Sequence, residues 1–213
     1  MSRRVIDMRG EKAMGVFLDK YFYSRAKEAR MLSYVERIYD KQLQLQGIDV
    51  LLDDYSIDEK AQLYYINRPV DSFAFEIDYV SEVTNSVVDG WYINPTNKTQ
   101  DYLLLWIPKA RTTHINRLVS EDFEVVEADL ISKTHIKEYL EKLGVTDQTL
   151  KVMASEMRNK NKKRYSISGN IHLTYSLEGY TEKPINMVIK KALLDSLSQK
   201  RFEIRKEGIT SIH

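Results

Sequence analysis

The stretch that decides how this chain is read is Gly47-Ile48-Asp49-Val50-Leu51-Leu52-Asp53-Asp54-Tyr55-Ser56-Ile57-Asp58-Glu59-Lys60-Ala61-Gln62. An acid opens a short apolar run, a polar turn follows, and a second run carries Asp58, Lys60 and Gln62 at every other position. Strand side chains alternate with a period of two, so a strand here puts those three on one face and Ile57, Glu59 and Ala61 on the other. Two carboxylates and an ammonium gathered at a hairpin suit Mg²⁺ or Mn²⁺ and the activation of a water molecule. The competing reading is a solvated hairpin with a salt bridge. With 31 acids and 19 lysines, acid-x-lysine should arise about three times by chance, so the triplet alone carries nothing. Its context carries the reading: a strand-like run, a second acid nine residues upstream after a glycine, and a helical region before both.

That upstream region, residues 11–45, has no proline and a single internal glycine, Gly15. Met14, Phe17, Leu18, Tyr21 and Phe22, then Leu32, Val35, Ile38 and Tyr39, recur at spacings of three and four, which predicts one long helix or two consecutive ones ended by Gly47. On such a helix Glu36 and Asp40, four apart, share a face. Downstream, strands are predicted over 48–52, 57–66, 72–80, 102–107 and 123–130. The run at 102–107 is apolar on both faces and is expected at the centre of the sheet. Helices follow over 134–143 and, capped by Thr146, over 147–157. Strands or an extended arm are expected over 165–168 and 170–177. Pro184 is expected to open a last helix through Leu197, with a frayed tail. This is a mixed α/β fold with a central mixed sheet flanked by helices, residues 1–157 forming the domain and 158–213 a C-terminal extension of strands and a helix, either appended or part of the same domain.

Composition bounds the function. At 43% hydrophobic and 30% charged, the 213 residues can bury a core beneath a polar surface. A net charge of +1 gives no global attraction to nucleic acid, so such a partner must be held by local patches. The chief patch is the run 158–164, where Lys160, Lys162, Lys163 and Arg164 are candidate phosphate contacts. The lack of cysteine excludes disulfide scaffolds and thiolate metal sites. No apolar run approaches the ~20 residues of a membrane span, and the N-terminus lacks a secretory core, so a cytoplasmic location is expected. His114, His135, His172 and His213 lack metal-ligand spacing and are expected at the surface. Gly90-Trp91-Tyr92 is expected to anchor a turn in the core. No phosphate-cradling glycine loop and no serine-nucleophile motif is present.

These residues resemble the PD-(D/E)xK nuclease superfamily, the restriction-endonuclease-like fold, over roughly residues 20–145. Asp49 resembles its first acid, Asp58-Glu59-Lys60 its (D/E)xK element, and Gln62 the polar residue often found two positions further on. The preceding helix often supplies another acid, for which Glu36 or Asp40 stands in position. The resemblance implies a Mg²⁺- or Mn²⁺-dependent nuclease, a hydrolase acting on DNA, with Asp49, Asp58, Lys60 and Gln62 as its catalytic set. Asp49 and Asp58 would be the metal ligands, extended by Glu36 or by Glu76 if its strand adjoins that of Asp58. Nucleic acid is the expected partner, with no membrane association and a homodimer as the assembly to test for. No proline precedes Asp49, a departure from the pattern. The alternative is a non-catalytic nucleic-acid-binding or interaction protein on the same fold.

Overall fold

In the computed structural model, which describes residues 3–177 and 181–212, the run predicted to be central is central. Tyr102, Leu103, Leu104 and Leu105 are fully buried, because water reaches neither face of their strand. In chain order the strands are β1 (Val35–Arg37), β2 (Val50–Leu52), β3 (Tyr55–Ala61), β4 (Ser72–Val80), β5 (Val87–Asp89), β6 (Asp101–Ala110), β7 (Phe123–Ser132), β8 (Arg164–Ser166), β9 (Ile171–Tyr175), β10 (Ile185–Lys190), β11 (Lys200–Ile204) and β12 (Ile209–Ile212). A seven-stranded sheet has the order β1-β2-β3-β6-β7-β11-β12, and a five-stranded sheet the order β5-β4-β10-β9-β8. β3 and β6 run parallel while the other neighbours are antiparallel, so the larger sheet is mixed. The fold is mixed α/β, as the sequence predicts.

Helix α1 (Arg3–Leu18) passes through a π-helical turn (Asp19–Tyr23) into α2 (Ser24–Glu28). Their apolar face, with Phe17, Leu18 and Phe22, packs with Ile57, Leu103, Leu105 and Phe123 on one side of the larger sheet. On the other side Tyr102, Leu104 and Trp106 pack with Phe73, Phe75 and Ile77 of the second sheet. Helices α4 (Lys133–Lys142) and α5 (Asp147–Asn159) join this layer through Ile136, Leu140, Leu150 and Ala154. Each buried leucine, isoleucine or phenylalanine contributes roughly 1.5–3 kcal/mol by leaving water. Edge-to-face contacts, Phe73 to Trp106 at 5.4 Å and Phe75 to Tyr102 at 5.8 Å, fix how the two sheets meet.

Several elements differ from expectation, each for a local reason. The N-terminal helix stops at Glu28, not near Leu45. Arg30 takes a left-handed φ of 56°, while Met31 N–H reaches Ala26 O at 2.8 Å and Arg30 N–H reaches Lys27 O at 3.0 Å. This is a Schellman-type stop built without the glycine that usually signals it. Val35 and Ile38, read as helical, belong to the edge strand β1 and its end, and only α3 (Lys41–Leu45) is helical beyond. The second predicted strand ends at Ala61 and turns into a 3₁₀ segment over Leu63–Tyr65. The strand predicted over 72–80 has the right bounds but lies in the second sheet, not beside β3.

Pro184 precedes strand β10, not a helix; proline fits just before a strand as readily as at a helix start. The helix in that region is the shorter α6 (Lys191–Leu197). The tail expected to fray forms β11 and β12, with Phe202 and Ile204 buried against β7. Residues beyond 157 therefore thread through both sheets: β10 lies between β4 and β9, and β11 pairs with β7. Among the described residues no helix is long and apolar enough to cross a membrane.

Candidate metal and phosphate site

β2 and β3 form a hairpin across Asp53 and Asp54, with Leu52 opposite Tyr55 and Val50 opposite Ile57. Asp53 adopts a φ of 51°, a conformation that Asp tolerates better than most residues, and its carboxylate accepts from the Ser33 and Tyr34 amides at 2.9 and 2.8 Å. Just before β2, the Asp49 amide donates to Ile57 O at 2.9 Å, one residue off the ladder in which Val50 faces Ile57, so the pairing is irregular there, and Asp49 stands close enough to Asp58 to act on its carboxyl. The parallel pairing sets Asp58 beside Tyr102 and Lys60 beside Leu104. Asp49, Asp58 and Lys60 thus share the face turned toward the second sheet.

Their geometry is close. Lys60 Nζ donates to Asp58 Oδ1 at 2.6 Å, and the Glu59 amide donates to Asp49 Oδ2 at 2.9 Å. Asp49 is near enough to Asp58 for its charge to act on the Asp58 carboxyl. Asp58 is only 1% exposed, and its Oδ2 is buried without a partner. Burial pushes the Asp58 carboxyl up to about 7, Lys60 pulls it back, and Asp49 pushes it further up. For Lys60, burial favours the neutral amine, but Asp58 and then Asp49 outweigh it and hold the pKa above the usual lysine value. The Lys60 side chain remains 30% exposed, so the pair opens to solvent on that side.

The opposite face of β3 is a fixed backing. Glu59 accepts from Arg37 Nη1 at 2.6 Å and from Tyr23 Oη at 2.6 Å, and Arg37 Nη2 also bonds Asp19 at 2.6 Å. Asp19 and Tyr23 begin and end the π-helical turn, which brings both to the same guanidinium. Glu59 is committed to this network, so the acid-x-lysine triplet divides between the two faces of the strand.

The second sheet supplies the far wall. The Trp91 ring lies 5.2 Å from Lys60 Nζ and packs on Phe75 and Tyr102. Gly90 lets the chain turn there, because a Cβ at this position would lie 2.5 Å from Glu76 O. Tyr92 is fully buried, in keeping with the expected anchor. Burial, reinforced by Glu182, pushes the Glu76 carboxyl up to about 7, while the Trp91 amide and Lys60 act to lower it. Glu76 comes close enough to act on Lys60, but β3's neighbours are β2 and β6, so Glu76 is not on an adjacent strand. Gln62 follows the end of β3 and donates to Ser72 O at 3.0 Å, tying the end of the strand to the second sheet.

Other predicted residues lie elsewhere. Glu36 is exposed on edge strand β1, bonded to the Tyr34 hydroxyl, and shares no helix face with Asp40. Asp40 caps α3, accepting from the Gln42 and Leu43 amides at 2.8 and 3.0 Å. Arg158 pairs with Asp78. Lys160 pairs with Glu156 at 3.4 Å and Lys162 lies 4.5 Å from the Tyr165 ring. Arg164 begins β8 at the far edge of the second sheet, three strands from β4 or roughly 14 Å. Lys163 lies on the same approach to β8. His114 and His135 are exposed and His172 half-buried, while His213 lies outside the described residues.

One residue of the site was not legible in the chain. Lys133, the first residue of α4, is half-buried beside Tyr102, with its Nζ 6.0 Å from the Tyr92 and Tyr102 rings. Among the described residues no cluster of three or more acidic, histidine or cysteine side chains converges, so a metal here would rest on two carboxylates supplemented by main chain and water. Comparison with family models, with characterised proteins and with solved structures finds no match.

Proposed function

We propose that this protein is a Mg²⁺- or Mn²⁺-dependent phosphodiesterase acting on nucleic acid, DNA before RNA, in the manner of the PD-(D/E)xK nucleases. The observation that supports this most is the meeting of Asp49, Asp58 and Lys60 on one face of the β2–β3 hairpin, with Asp58 Oδ2 buried and unpartnered. A buried carboxylate oxygen without a donor is costly unless something binds it. The donor set is hard oxygen, which suits Mg²⁺: Asp49, Asp58 and the main-chain carbonyl of Glu59, with water completing the shell.

When bound, the ion supplies a more acidic water and neutralises charge on the phosphate. The residues do the rest. Asp49 and Asp58 fix the position of the reacting centre on a strand held from behind by Arg37, Glu59 and Tyr23. Lys60, kept cationic by its neighbours, orients the attacking water and offsets the charge that develops on the phosphoryl oxygens. Lys160, Lys162, Lys163 and Arg164 offer further phosphate contacts along the β8 edge.

The test is cleavage of plasmid and single-stranded DNA with Mg²⁺ or Mn²⁺ titrated, using Asp58→Ala and Lys60→Ala as controls. Each substitution should cost on the order of 10²–10³ in rate, typical of removing one transition-state contact. Cleavage that survives both substitutions refutes the assignment. Salt-sensitive DNA binding without cleavage would make this a binding protein on the same fold.

A further inference from the structure

We infer that Lys133 is a second cation of the site, contacting a phosphate of the bound strand on the Tyr102 side of Asp58, away from Lys60; the inference rests on the nucleic-acid reading above. Its placement comes from the backbone. Ser132 caps α4, with the Thr134 amide 3.2 Å from its Oγ, and the Lys133 amide donates to Gln100 O at 2.9 Å. The backbone of Lys133 is therefore fixed where β7 becomes a helix, beside the start of β6, and its ammonium reaches Asn97 and the Tyr92 and Tyr102 rings. Tyr102, one of the two rings it faces, is the cross-strand neighbour of Asp58.

What surrounds Lys133 is incomplete. Its ammonium donates to a neutral acceptor, Asn97 Oδ1 at 3.2 Å, and among the described residues it has no ion pair. Lys60, in contrast, already has Asp58. The Tyr92 and Tyr102 hydroxyls are buried without partners, as is Asp58 Oδ2. A half-buried ammonium that has no ion-pair partner among the described residues, at the positive end of a ten-residue helix, calls for an anion. Burial and Lys137 act to lower its pKa, while Asp147 and Asp58 counter them. The DNA backbone meets this need while presenting its next phosphate to the acid pair.

A further contact ties Lys133 to the same hairpin. Asn97 lies against Gly47, where a Cβ would come within 2.3 Å of Asn97 Nδ2, and Thr99 Oγ1 donates to Gly47 O at 2.7 Å. Gly47 itself has a φ of +75°. The turn that leads into Asp49 thus also holds the partner of Lys133.

The experiment measures binding of a fluorescent mixed-sequence DNA duplex across a KCl series, in EDTA and in Ca²⁺, for wild type, Lys133→Met and Lys133→Arg. Loss of one phosphate contact should lower the slope of log affinity against log salt by about 0.9 and weaken binding about tenfold, with arginine restoring both. Thermal melts and Mn²⁺ titration should leave Lys133→Met close to wild type, which separates a phosphate contact from a structural role. Unchanged slope and affinity in Lys133→Met would overturn the inference, as would equal losses in Met and Arg or absent DNA binding by wild type. A reduced slope in a protein that cleaves nothing upholds Lys133 and rejects hydrolysis. Cleavage and binding that are indifferent to Lys133 do the reverse.

Discussion

Replacing Asp58 with asparagine should make this protein more stable at alkaline pH, although the same change should abolish the metal binding proposed above. The Asp58 carboxyl has a pKa of about 7 in the folded state, against about 3.9 in an unfolded chain. A carboxyl raised in this way binds its proton more tightly when folded, so stability is highest below about pH 4 and falls as pH rises toward 7. Three units at 1.36 kcal/mol each set a ceiling of about 4 kcal/mol on the loss. Asparagine removes the titration but also the negative charge opposite Lys60, whose partly exposed amine can turn to water. The net gain at pH 8 should be about 1–3 kcal/mol, falling to nothing or slightly below at pH 4.5. For a chain of this length that is about 2–4 °C in Tm per kcal/mol. Glu76 and Asp129 also have carboxyls pushed up to about 7, chiefly by burial, but they are common to both proteins and cancel in the difference. The assay is calorimetry of wild type and Asp58→Asn in EDTA at both pH values. A difference in Tm that is the same at pH 4.5 and pH 8 refutes the reasoning. Mg²⁺ at ten times its dissociation constant should return about 1.4 kcal/mol to wild type and none to the variant.

Arg37→Met should cost about 3–5 kcal/mol in urea unfolding, because Glu59 would be left buried without its cation; a loss under about 1 kcal/mol would show that Tyr23 alone holds the strand. Gly90→Ala should destabilise by about 1–3 kcal/mol and change the Trp91 fluorescence, since the new methyl meets the Glu76 backbone and something must shift. An unaltered melt and spectrum would place that backbone elsewhere. Tyr92→Phe, which deletes a buried hydroxyl without a partner, should be neutral or stabilising by up to about 1 kcal/mol. A clear loss of stability would reveal a bond at that hydroxyl.

The alternation of Ile57, Asp58, Glu59 and Lys60 was enough to divide the triplet between two faces, because a strand's period holds in any sheet. The doubly apolar run at 102–107 likewise fixed the centre. Leu32, Val35 and Ile38 misled because their spacing of three suits a helix as well as a turn followed by a short edge strand, and the helix stop at Arg30 has no glycine. Pro184 misled for a similar reason, being compatible with the start of either element. Nothing in a strand's own pattern states which sheet it joins, so the separation of β4 from β3, and with it the place of Glu76, depends on pairing with β10. Lys133 could not be singled out: one lysine after a serine cap looks like any helix start until Tyr102 and Asp58 are brought beside it.

The place of β10 also sets an order of assembly during synthesis. The acid-bearing hairpin closes across two residues and can form as soon as it leaves the ribosome. Glu76 sits on β4, which over residues 72–76 pairs, among the described residues, only with β10. That pairing spans more than a hundred residues, the slow kind of contact. Until residues 185–190 emerge, the nascent chain carries its acids on a strand with no opposing wall, and Phe73, Phe75 and Ile77 await their cover. A polypeptide cut after Asn159 would keep the motif and lose the cleft.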